Sequence, residues 1–409
     1  MVAHISDARG RVIIAGAGLG GLTLALACLD AGFEVLVLEQ AHTLGEVGAG
    51  VQISPNGARV LYALGLGEPL DVVAFRPQHG EMRHWQSGEV LLTRPLGAEV
   101  EARFGFPYLH LHRADLHALL VTALAQRAPD AVRLNARVAG FEPQGMGVRV
   151  STEAGEQFDG DVLIGADGIH SRVRERLFGD DETHFTGCTA WRALVPVGAL
   201  AKNHVRPVAS NWLGPGGHFV HYYVRRGELV NCVGIYEEQA WLAESWSSPG
   251  RTEDFQRDYA DWHGDLRTLV SAASQCFRWG LFDREPMGRW SDGPVTLLGD
   301  ACHAMLPFQA QGAVMAIEDA YTLAHCLAAN SSAQSALARY EALRGARTAA
   351  VQRMSRANMS FFHNPDVPDL EVRLAGHRAA HLWLYGFDAT AQDFALDGPA
   401  PEPIPVFSS

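Results

Sequence analysis

An α/β fold with interleaved domains is predicted by three features of the sequence. A glycine-rich turn lies between an apolar strand and an apolar helix near the start, within residues 11–40. Residues 181–280 are rich in aromatic and β-branched side chains, with a turn signal about every ten positions, which predicts a mostly antiparallel sheet. Residues 312–328 and 334–352 are strongly helical in pattern. We therefore expect a strand–helix–strand domain, an inserted β-sheet domain and C-terminal helices.

The first domain begins with a strand, a glycine turn, a helix, a second strand and an acid. In order, these segments are Arg11–Ala15, Gly16-Ala17-Gly18-Leu19-Gly20-Gly21, Leu22–Ala31, Glu34–Leu38 and Glu39. Gly16 permits the tight turn, Gly18 lets backbone amides approach a pyrophosphate, and Gly21 lets the helix pack closely on the sheet. The N-terminus of the helix faces the pyrophosphate with its partial positive charge. Glu39, 18 residues beyond Gly21, is placed to accept hydrogen bonds from ribose hydroxyls. With Gly20 in the same turn, the pattern predicts a Rossmann-type dinucleotide site.

Length and composition narrow the class of protein. The 409 residues exceed a typical single domain and predict two, with room for a buried core. A net charge of −13 argues against a general nucleic-acid binder, because phosphate binding needs a basic surface, but a small anionic substrate needs only a local cation. The six cysteines are scattered without a CxxC pair, which indicates reduced, packed thiols rather than a disulfide framework or a metal site.

The N-terminal apolar run has an alternative interpretation as a signal peptide or a membrane span, because Arg9 and Arg11 precede it. Several glycines and Asp30 interrupt the run, which then continues directly into a strand. We therefore expect a cytoplasmic protein without a membrane partner.

The chain from residue 45 onward alternates between the two predicted domains. Glycines make residues 45–57 a loop, Pro55-Asn56 suits a turn, and Ala58–Leu66 predicts a short helix. Residues 76–104, with a hairpin turn at Ser87-Gly88, leave the first domain. The next predicted elements are a helix from His112 to about Arg127, strands at 132–138, 141–150 and 157–162, an apolar strand within Asp161–Gly168, a helix at Ser171–Leu177 and a strand at Val295–Leu298.

These elements define the predicted domain boundaries. Residues 1–75, 105–180 and 281–340 form the dinucleotide-binding domain, and residues 76–104 and 181–280 form the substrate-binding domain. Residues 341–409 supply C-terminal helices and a tail that we expect to be irregular from Pro399, where four prolines occur in seven residues.

Three stretches in order resemble a known family. They are Gly16–Gly21 with Glu39, Asp161–Gly168, and Gly299–Gly312. Together they resemble the FAD-dependent aromatic hydroxylases of the p-hydroxybenzoate hydroxylase class. The branch that contains salicylate hydroxylase, 3-hydroxybenzoate 6-hydroxylase and 6-hydroxynicotinate 3-monooxygenase looks most similar. The resemblance reaches to about Tyr385–Asp388. It implies a Rossmann-type FAD-binding domain, one non-covalent FAD, a nicotinamide donor, O₂ and a phenolic or heteroaromatic acid as substrate.

The resemblance also assigns residues to the FAD. Beside the glycine turn and Glu39 these are Gln52, Arg113, Asp167, Gly168, Asp300, Gln311, Gly312 and Ala313. Asp300 ends a strand, where ligands bind in α/β sheets, and would hold a ribityl or sugar hydroxyl. The helix that begins near Gln311 would stabilise negative charge on the pyrimidine side of the flavin. Two alternatives stay open: Asp300 could cap the turn after its strand, and Arg113 could pair with Asp115.

The nicotinamide donor lacks a fingerprint of its own. No second glycine turn follows a strand, which favours a donor that docks transiently and leaves. NADH is favoured over NADPH by family habit. Arg172 and Arg174 could contact either donor or form a solvated helix face.

The prediction of the substrate pocket depends on the segment Gly217–Tyr222. Strand alternation puts His218, Val220 and Tyr222 on one face and Phe219 and His221 on the other. In the resembling hydroxylases a His and a Tyr four residues later line the substrate pocket, so His218 and Tyr222 inherit a catalytic role. A neutral imidazole would accept the phenolic proton and make the ring more nucleophilic. The alternative is a hydrogen-bonded structural histidine.

The loop at Pro307-Phe308 departs from the family pattern. Related hydroxylases place a His or Gln there as a base or substrate anchor, and neither position offers one. Gln309 and Gln311 are polar neighbours without an assigned role, so salicylate as the specific substrate is not supported.

The function that follows is monooxygenation of a hydroxylated aromatic or heteroaromatic carboxylic acid of the salicylate, 3-hydroxybenzoate or 6-hydroxynicotinate type. NADH or NADPH would reduce the FAD, O₂ would form a flavin C4a-hydroperoxide in a closed site, and the ring would take its distal oxygen. The alternatives are an FAD-dependent epoxidase or dehydrogenase, and a flavin-binding redox sensor. The oligomeric state, a homodimer included, stays open.

Overall fold

The computed structural model describes residues 9–45, 49–179, 183–238, 249–364 and 370–391. The predicted tail from Pro399 and part of the predicted loop at 45–57 lie outside these residues. Within the described residues, no helix combines the length and the apolar character that a membrane span requires.

The secondary structure alternates strands and helices at the start and end of the chain and is mostly strands between them. The strands are β1 (Arg11–Ala15), β2 (Glu34–Leu38), β3 (Gly50–Ile53), β4 (His79–His84), β5 (Val90–Pro95), β6 (Leu109–His112), β7 (Val132–Arg133), β8 (Val138–Gln144), β9 (Gly147–Thr152), β10 (Gln157–Gly160), β11 (Val162–Gly165), β12 (His184–Pro196), β13 (Ala209–Gly214), β14 (Gly217–Val224), β15 (Leu229–Glu237), β16 (Pro249–Gly250), β17 (Cys276–Asp283), β18 (Ser291–Asp292) and β19 (Val295–Leu297). The helices are α1 (Leu19–Asp30), α2 (Pro55–Ala63), α3 (Gly67–Val73), α4 (Ala98–Phe104), α5 (Arg113–Arg127), α6 (Arg172–Phe178), α7 (Thr252–Asp258), α8 (Gly264–Ser271), α9 (Asp300–His303), α10 (Gly312–Ala329), α11 (Ala333–Phe362) and α12 (Leu370–Gly386).

A six-stranded sheet in the order β18-β19-β11-β1-β2-β7 forms the centre of the Rossmann-type part. Its neighbouring strands are parallel except for the β18–β19 pair. The four central strands β1, β2, β11 and β19 are mostly apolar, because helices cover both faces of such a sheet. The glycine turn, Glu39, the turn after β11 and the turn after β19 all follow the carboxyl ends of these strands, which places them along one edge.

An eight-stranded sheet in the order β16-β17-β12-β15-β14-β13-β4-β5 forms the second layer. Its pairs are antiparallel except for β13–β4, which is parallel. Strands from residues 79–95 and from residues 184–283 therefore share one sheet, and the mixed α/β fold is confirmed. The domain boundaries stay a prediction, and the one at residue 340 lies inside α11.

Several local predictions were wrong for identifiable reasons. Residues 141–150 are not one strand, because Gly145 has φ +61° and turns the chain between β8 and β9. Residues 132–138 divide in the same way at Asn135, which has φ +54°. Residues 50–53, expected in a loop, form β3 against β6, and Pro55 begins α2 rather than a turn. The region 181–280 also contains α7 and α8, which cover the aromatic face of the second sheet around Trp191.

Candidate functional site

A cavity of about 420 Å³ lies between the carboxyl edge of the first sheet and one face of the second. Its volume falls in the range of small-molecule sites. Of the predicted site residues, the following line it: Gly18, Gly20, Gln52, Arg113, Gly168, His218, Tyr222, Asp300, Gly312 and Ala313. The other predicted residues do not line the cavity: Gly16, Gly21, Glu39, Asp167 and Gln311.

The glycine turn has the conformation that its sequence predicts. Gly16 has φ +106°, and a Cβ there would meet the carbonyl oxygen of Ala166 at 2.5 Å. A Cβ on Gly21 would lie 2.1 Å from the carbonyl oxygen of Gly16, so only glycine lets α1 start this close to the turn. Gly18 precedes the first turn of α1, and a Cβ there would meet nothing within 4 Å. Open space at Gly18, beside the amides of a helix N-terminus, suits a phosphate group.

The carboxylate of Glu39 closes the glycine turn from the end of β2. Oε2 accepts a hydrogen bond from the Ala17 amide at 2.7 Å, and Oε1 accepts one from the Ala41 amide at 2.8 Å. Each carboxylate oxygen has a second lone pair, so these bonds leave acceptor capacity for a hydroxyl. Its ribose role stays a prediction.

The turn after β19 and the start of α10 form the opposite wall. Asp300 begins α9 and lines the cavity with Gly312 and Ala313. The 18 residues of α10 direct its first free amides and its dipole toward the cavity. The Gln311 side chain turns away, because its Nε2 donates to Ser54 Oγ at 3.0 Å and its Oε1 accepts from Asn56 at 3.2 Å. Gln311 thus fixes the helix start through its side chain.

In the turn after β11, one residue lines the cavity and its neighbour caps a helix. Gly168, at φ +78°, lines the cavity. Asp167 accepts hydrogen bonds from Ser171 Oγ at 2.5 Å and from the Arg172 amide at 2.8 Å, so it caps α6. Burial raises the pKa of Asp167 in spite of these bonds.

The prediction that Arg174 lies on a solvated helix face or contacts the nicotinamide donor was wrong. Its side chain is buried and donates to the carbonyl oxygens of Ile169 and Ala301, both at 2.9 Å. It therefore ties together two of the loops that border the cavity. The hydrophobic periodicity of α6 did not reveal this, because an arginine near the surface and a buried one look alike in sequence. Arg172 is exposed and pairs with Glu175 at 2.7 Å.

Arg113 and Gln52 complete the wall on the side of β3 and β6. The Arg113 amide donates to the Ala49 carbonyl oxygen at 2.6 Å, and its side chain lines the cavity. Asp115, the alternative partner of Arg113, accepts two hydrogen bonds from Arg225 at 2.9 and 3.0 Å. Gln52 accepts a hydrogen bond from the Tyr108 hydroxyl at 2.6 Å.

The predicted alternation along β14 is confirmed. His218, Val220 and Tyr222 line the cavity, whereas Phe219 packs in the aromatic cluster under α7 and α8. His221 accepts a hydrogen bond from Trp212 Nε1 at 3.0 Å on that far face. The catalytic roles of His218 and Tyr222 stay a prediction.

His218 is buried and held by a hydrogen bond at one ring nitrogen. Its Nδ1 lies 2.9 Å from Nε2 of His363. Its ring meets Phe308 edge-on, with ring centroids 4.9 Å apart. Burial, with a smaller contribution from His363, holds the pKa of His218 well below its usual value, so the imidazole is neutral at neutral pH. Burial likewise raises the pKa of the Tyr222 hydroxyl.

Three further polar residues on the cavity wall were not singled out as site residues. Arg192 and Asn211 lie in one cross-strand row with Val220 and Val233 on the cavity face of the second sheet. The same period-two alternation that singled out His218 could have found them. Gln309 follows Phe308, is 7% exposed, and neither its Oε1 nor its Nε2 has a hydrogen-bond partner within the described residues. A buried amide without partners on a cavity wall is available to bind a polar ligand.

The residues along the carboxyl edge fit an FAD. A Cβ would meet nothing within 4 Å at Gly18 and Gly168, and only Met305 at 3.8 Å at Gly312, so the backbone is open to a ligand at three loops. Two helix N-termini, those of α1 and α10, face this edge and favour phosphate or a reduced flavin. The described residues contain no group of three or more His, Cys, Asp or Glu side chains that could hold a metal ion.

Comparison with known proteins agrees with this geometry. Residues 9–355 match a family model described as an FAD binding domain. The chain is 41% identical over 392 residues to a 3-amino-4-hydroxybenzoate 2-monooxygenase of Streptomyces platensis, covering 94% of this chain and 98% of that one. It is 36% identical over 385 residues to a 6-hydroxynicotinate 3-monooxygenase of Pseudomonas fluorescens, covering 92% and 95%. Among solved structures, a salicylate hydroxylase substrate complex superposes with a TM-score of 0.80 at 26% identity, covering 94% and 97%.

Proposed function

Because the chain belongs to the FAD-dependent aromatic hydroxylases, we propose that it hydroxylates an aromatic carboxylic acid that carries a ring hydroxyl, with NADH and O₂ as co-substrates. The observation that carries the proposal is the cavity itself. A polar face of the second sheet, with His218, Tyr222 and Arg192, lies opposite the loops that would hold the FAD. When bound, FAD takes electrons from the nicotinamide donor and supplies the activated oxygen.

The side chains of the second sheet have distinct roles in this proposal. Nε2 of His218 accepts the proton of the ring hydroxyl, which makes the ring electron-rich. The Arg192 guanidinium, 4.5 Å from the centroid of the Trp279 ring, binds the carboxylate. Tyr222 orients the ring by a hydrogen bond. The walls formed by Met82, Leu281 and Phe308 exclude water from the reacting atoms.

A 3-amino-4-hydroxybenzoate-type acid is the substrate that we favour over salicylate, 3-hydroxybenzoate and 6-hydroxynicotinate. The buried Gln309 amide offers one acceptor and two donors to a third polar substituent beside the carboxylate and the hydroxyl. The Streptomyces relative, named for 3-amino-4-hydroxybenzoate, supports the same choice at 41% identity.

A substrate panel tests the proposal. The FAD-loaded protein is mixed with NADH and each of the four acids, while NADH loss, hydrogen peroxide and product mass are followed. We expect fast NADH oxidation and a product heavier by one oxygen with 3-amino-4-hydroxybenzoate. Stimulation without an oxygenated product would favour a dehydrogenase, and no stimulation by any acid would favour a redox sensor. An alkene such as styrene, added to the panel as a fifth compound, tests the epoxidase alternative, which an epoxide product would favour. A preference for NADPH above about tenfold in kcat/KM, close to 1.4 kcal/mol, would contradict the choice of NADH.

A further inference from the structure

A chain of three side chains connects the cavity to the surface beside the second sheet. Nδ1 of His218 lies 2.9 Å from Nε2 of His363, and Nδ1 of His363 lies 2.8 Å from Oε1 of Glu237. His218 and His363 are 2% and 6% exposed, whereas the Glu237 side chain is 54% exposed. The chain therefore starts at the cavity wall and ends in water.

The backbone fixes the three groups relative to one another. His218 is on β14, and Glu237 ends the neighbouring strand β15. His363 follows the last residue of α11, and its carbonyl oxygen accepts a hydrogen bond from the Gly216 amide at 3.1 Å. The Gly216 carbonyl oxygen accepts one from the Glu237 amide at 2.8 Å. One turn thus holds both the carboxylate and the distal histidine.

The carboxylate sets the positions of the protons in this chain. An ionised Glu237 can only accept, so His363 carries its proton on Nδ1 and leaves Nε2 bare. The bare Nε2 of His363 then accepts from Nδ1–H of His218. His218 is left with a lone pair on Nε2, which is the nitrogen that a base needs. Without the carboxylate, no group among these three side chains would favour the Nδ1–H tautomer over the Nε2–H tautomer.

We propose that Glu237 and His363 form a proton relay that keeps His218 in its basic tautomer and carries the substrate proton to water. The proposal rests on the proposed function, in which His218 is the base. As the O–H bond of the substrate breaks, its electron pair stays on oxygen and the proton binds Nε2 of His218. The Nδ1 proton of His218 moves to Nε2 of His363, and the Nδ1 proton of His363 moves to Glu237 and then to water. The reverse path returns a proton to the product oxygen and resets both tautomers.

The surroundings of the relay are mostly apolar. Phe308 and Phe362 contact His218, with ring centroids 4.9 and 5.1 Å away. Cys188 pairs with Glu237 across β12 and β15, and burial raises the pKa of its thiol. Glu238, next in sequence, is bound to Arg278 at 2.7 Å. Among the described residues, Glu238 is thus neutralised by its own ion pair, and neither it nor Cys188 takes part in the hydrogen bonds of the relay.

Histidine tautomers give a test that needs no substrate. The FAD-loaded protein is labelled with ¹⁵N-histidine, and His218→Gln and His363→Gln variants assign the two rings. We expect both rings to carry their proton on Nδ1. In Glu237→Gln the amide can donate to His363, so we expect both rings to change to the Nε2–H form. A parent spectrum with the proton on Nε2 of His218 would overturn the proposal whatever the substrate is.

Kinetics test the proton transfer itself. With 3-amino-4-hydroxybenzoate as probe, we expect Glu237→Gln to slow hydroxylation about 10- to 100-fold and to raise peroxide release. Its rate should rise about tenfold per pH unit from pH 7 to 9, because only substrate already ionised in water reacts, whereas the parent rate stays flat. Glu237→Asp should restore most of the rate. Glu238→Gln, which makes the same change one residue away, should behave as the parent.

The two proposals fail in different ways. Parent protein that oxygenates none of the four acids contradicts the proposed function, while the tautomers are still decided by the spectrum. Parent protein that turns over normally, with Glu237→Gln matching its rate and pH profile, overturns the relay alone.

Discussion

A single substitution can distinguish a catalytic role of His218 from a packing role. His218→Ala removes the base, so we expect the hydroxylation step to slow by ~10²–10⁴-fold. FAD binding should persist, because β14 belongs to the second sheet and not to the loops that face the dinucleotide. The measurement is single-turnover product formation together with peroxide yield and bound FAD. Tight coupling at the parent rate in His218→Ala would remove His218 from the chemistry.

Gln309 offers a test in which stability and affinity move in opposite directions. Its buried amide lacks partners within the described residues, so Gln309→Leu removes a desolvation cost and should stabilise the ligand-free protein or leave it unchanged. Substrate binding should weaken by about 1–3 kcal/mol because the polar substituent of the ligand loses its partner. Thermal unfolding and titration of the four acids measure the two effects. A loss of stability with unchanged affinity would mean that Gln309 packs rather than binds.

At the scale of elements, two glycines of the same turn should respond differently to alanine. Gly21→Ala places a Cβ 2.1 Å from a backbone oxygen, which cannot move without opening the turn, so we expect poor folding. Gly18→Ala meets nothing within 4 Å in the protein, so the variant should fold normally and lose FAD affinity instead. Circular dichroism and flavin content distinguish the two. Full flavin content in folded Gly18→Ala would contradict the predicted phosphate contact.

A buried ionic network joins α10 to α11 and lies beneath the cofactor wall. Glu318 is bound to Arg344 at 2.7 Å and to Arg347 at 2.9 Å, and all three are buried. Burial alone would raise the pKa of Glu318, but the two arginines hold it below its usual value. Glu318→Gln leaves buried arginine charge uncompensated, so we expect a loss of about 3–5 kcal/mol.

The control for this substitution is Glu175→Gln, which breaks an exposed pair with Arg172 and should cost at most ~1 kcal/mol. Urea unfolding of both variants measures the difference. Equal, small losses would show that the network under α10 contributes little to stability.

Some of these features could be predicted from the sequence and others could not, for physical reasons. The glycine turn was predictable because steric limits at Gly16 and Gly21 allow only one residue type. The Glu318–Arg347 pair was not, because charged residues in a helical pattern normally face water and only the tertiary packing of α11 buries them. The relay was not predictable either, because His218 and His363 lie 145 positions apart in the sequence and only the tertiary structure brings them together.

The whole molecule should lose stability in mild acid through its buried histidines. Burial lowers the pKa of His110 and His221 to about 3, and it lowers the pKa of His218 and His363 as well. Each is neutral when folded but binds a proton near pH 6.5 when unfolded. The contribution of these histidines to stability is therefore fully present above about pH 6.5 and is lost as the pH falls toward the folded-state pKa values.

The slope of the unfolding free energy against pH gives the number of protons taken up on unfolding. Each such histidine contributes ~1.4 kcal/mol per pH unit below pH 6.5. His221→Gln, in which the amide oxygen can still accept from Trp212, should lower the slope by about one proton. Denaturant unfolding at saturating FAD between pH 5 and 7.5 measures it. An unchanged slope would show that His221 does not keep a depressed pKa.

The interleaving of the two sheets dictates when the chain can fold during its synthesis. β1 needs β11, and β11 needs β19, so the first sheet is incomplete until about residue 297 has left the ribosome. The parallel pair β4–β13 likewise joins strands that lie more than a hundred residues apart. Nascent chains stalled before β19 would expose unpaired strand edges, and such intermediates aggregate readily. Neither sheet could be expressed as a contiguous fragment, because strands of the first sheet lie before and after those of the second, and β7 and β11 lie between the two segments of the second.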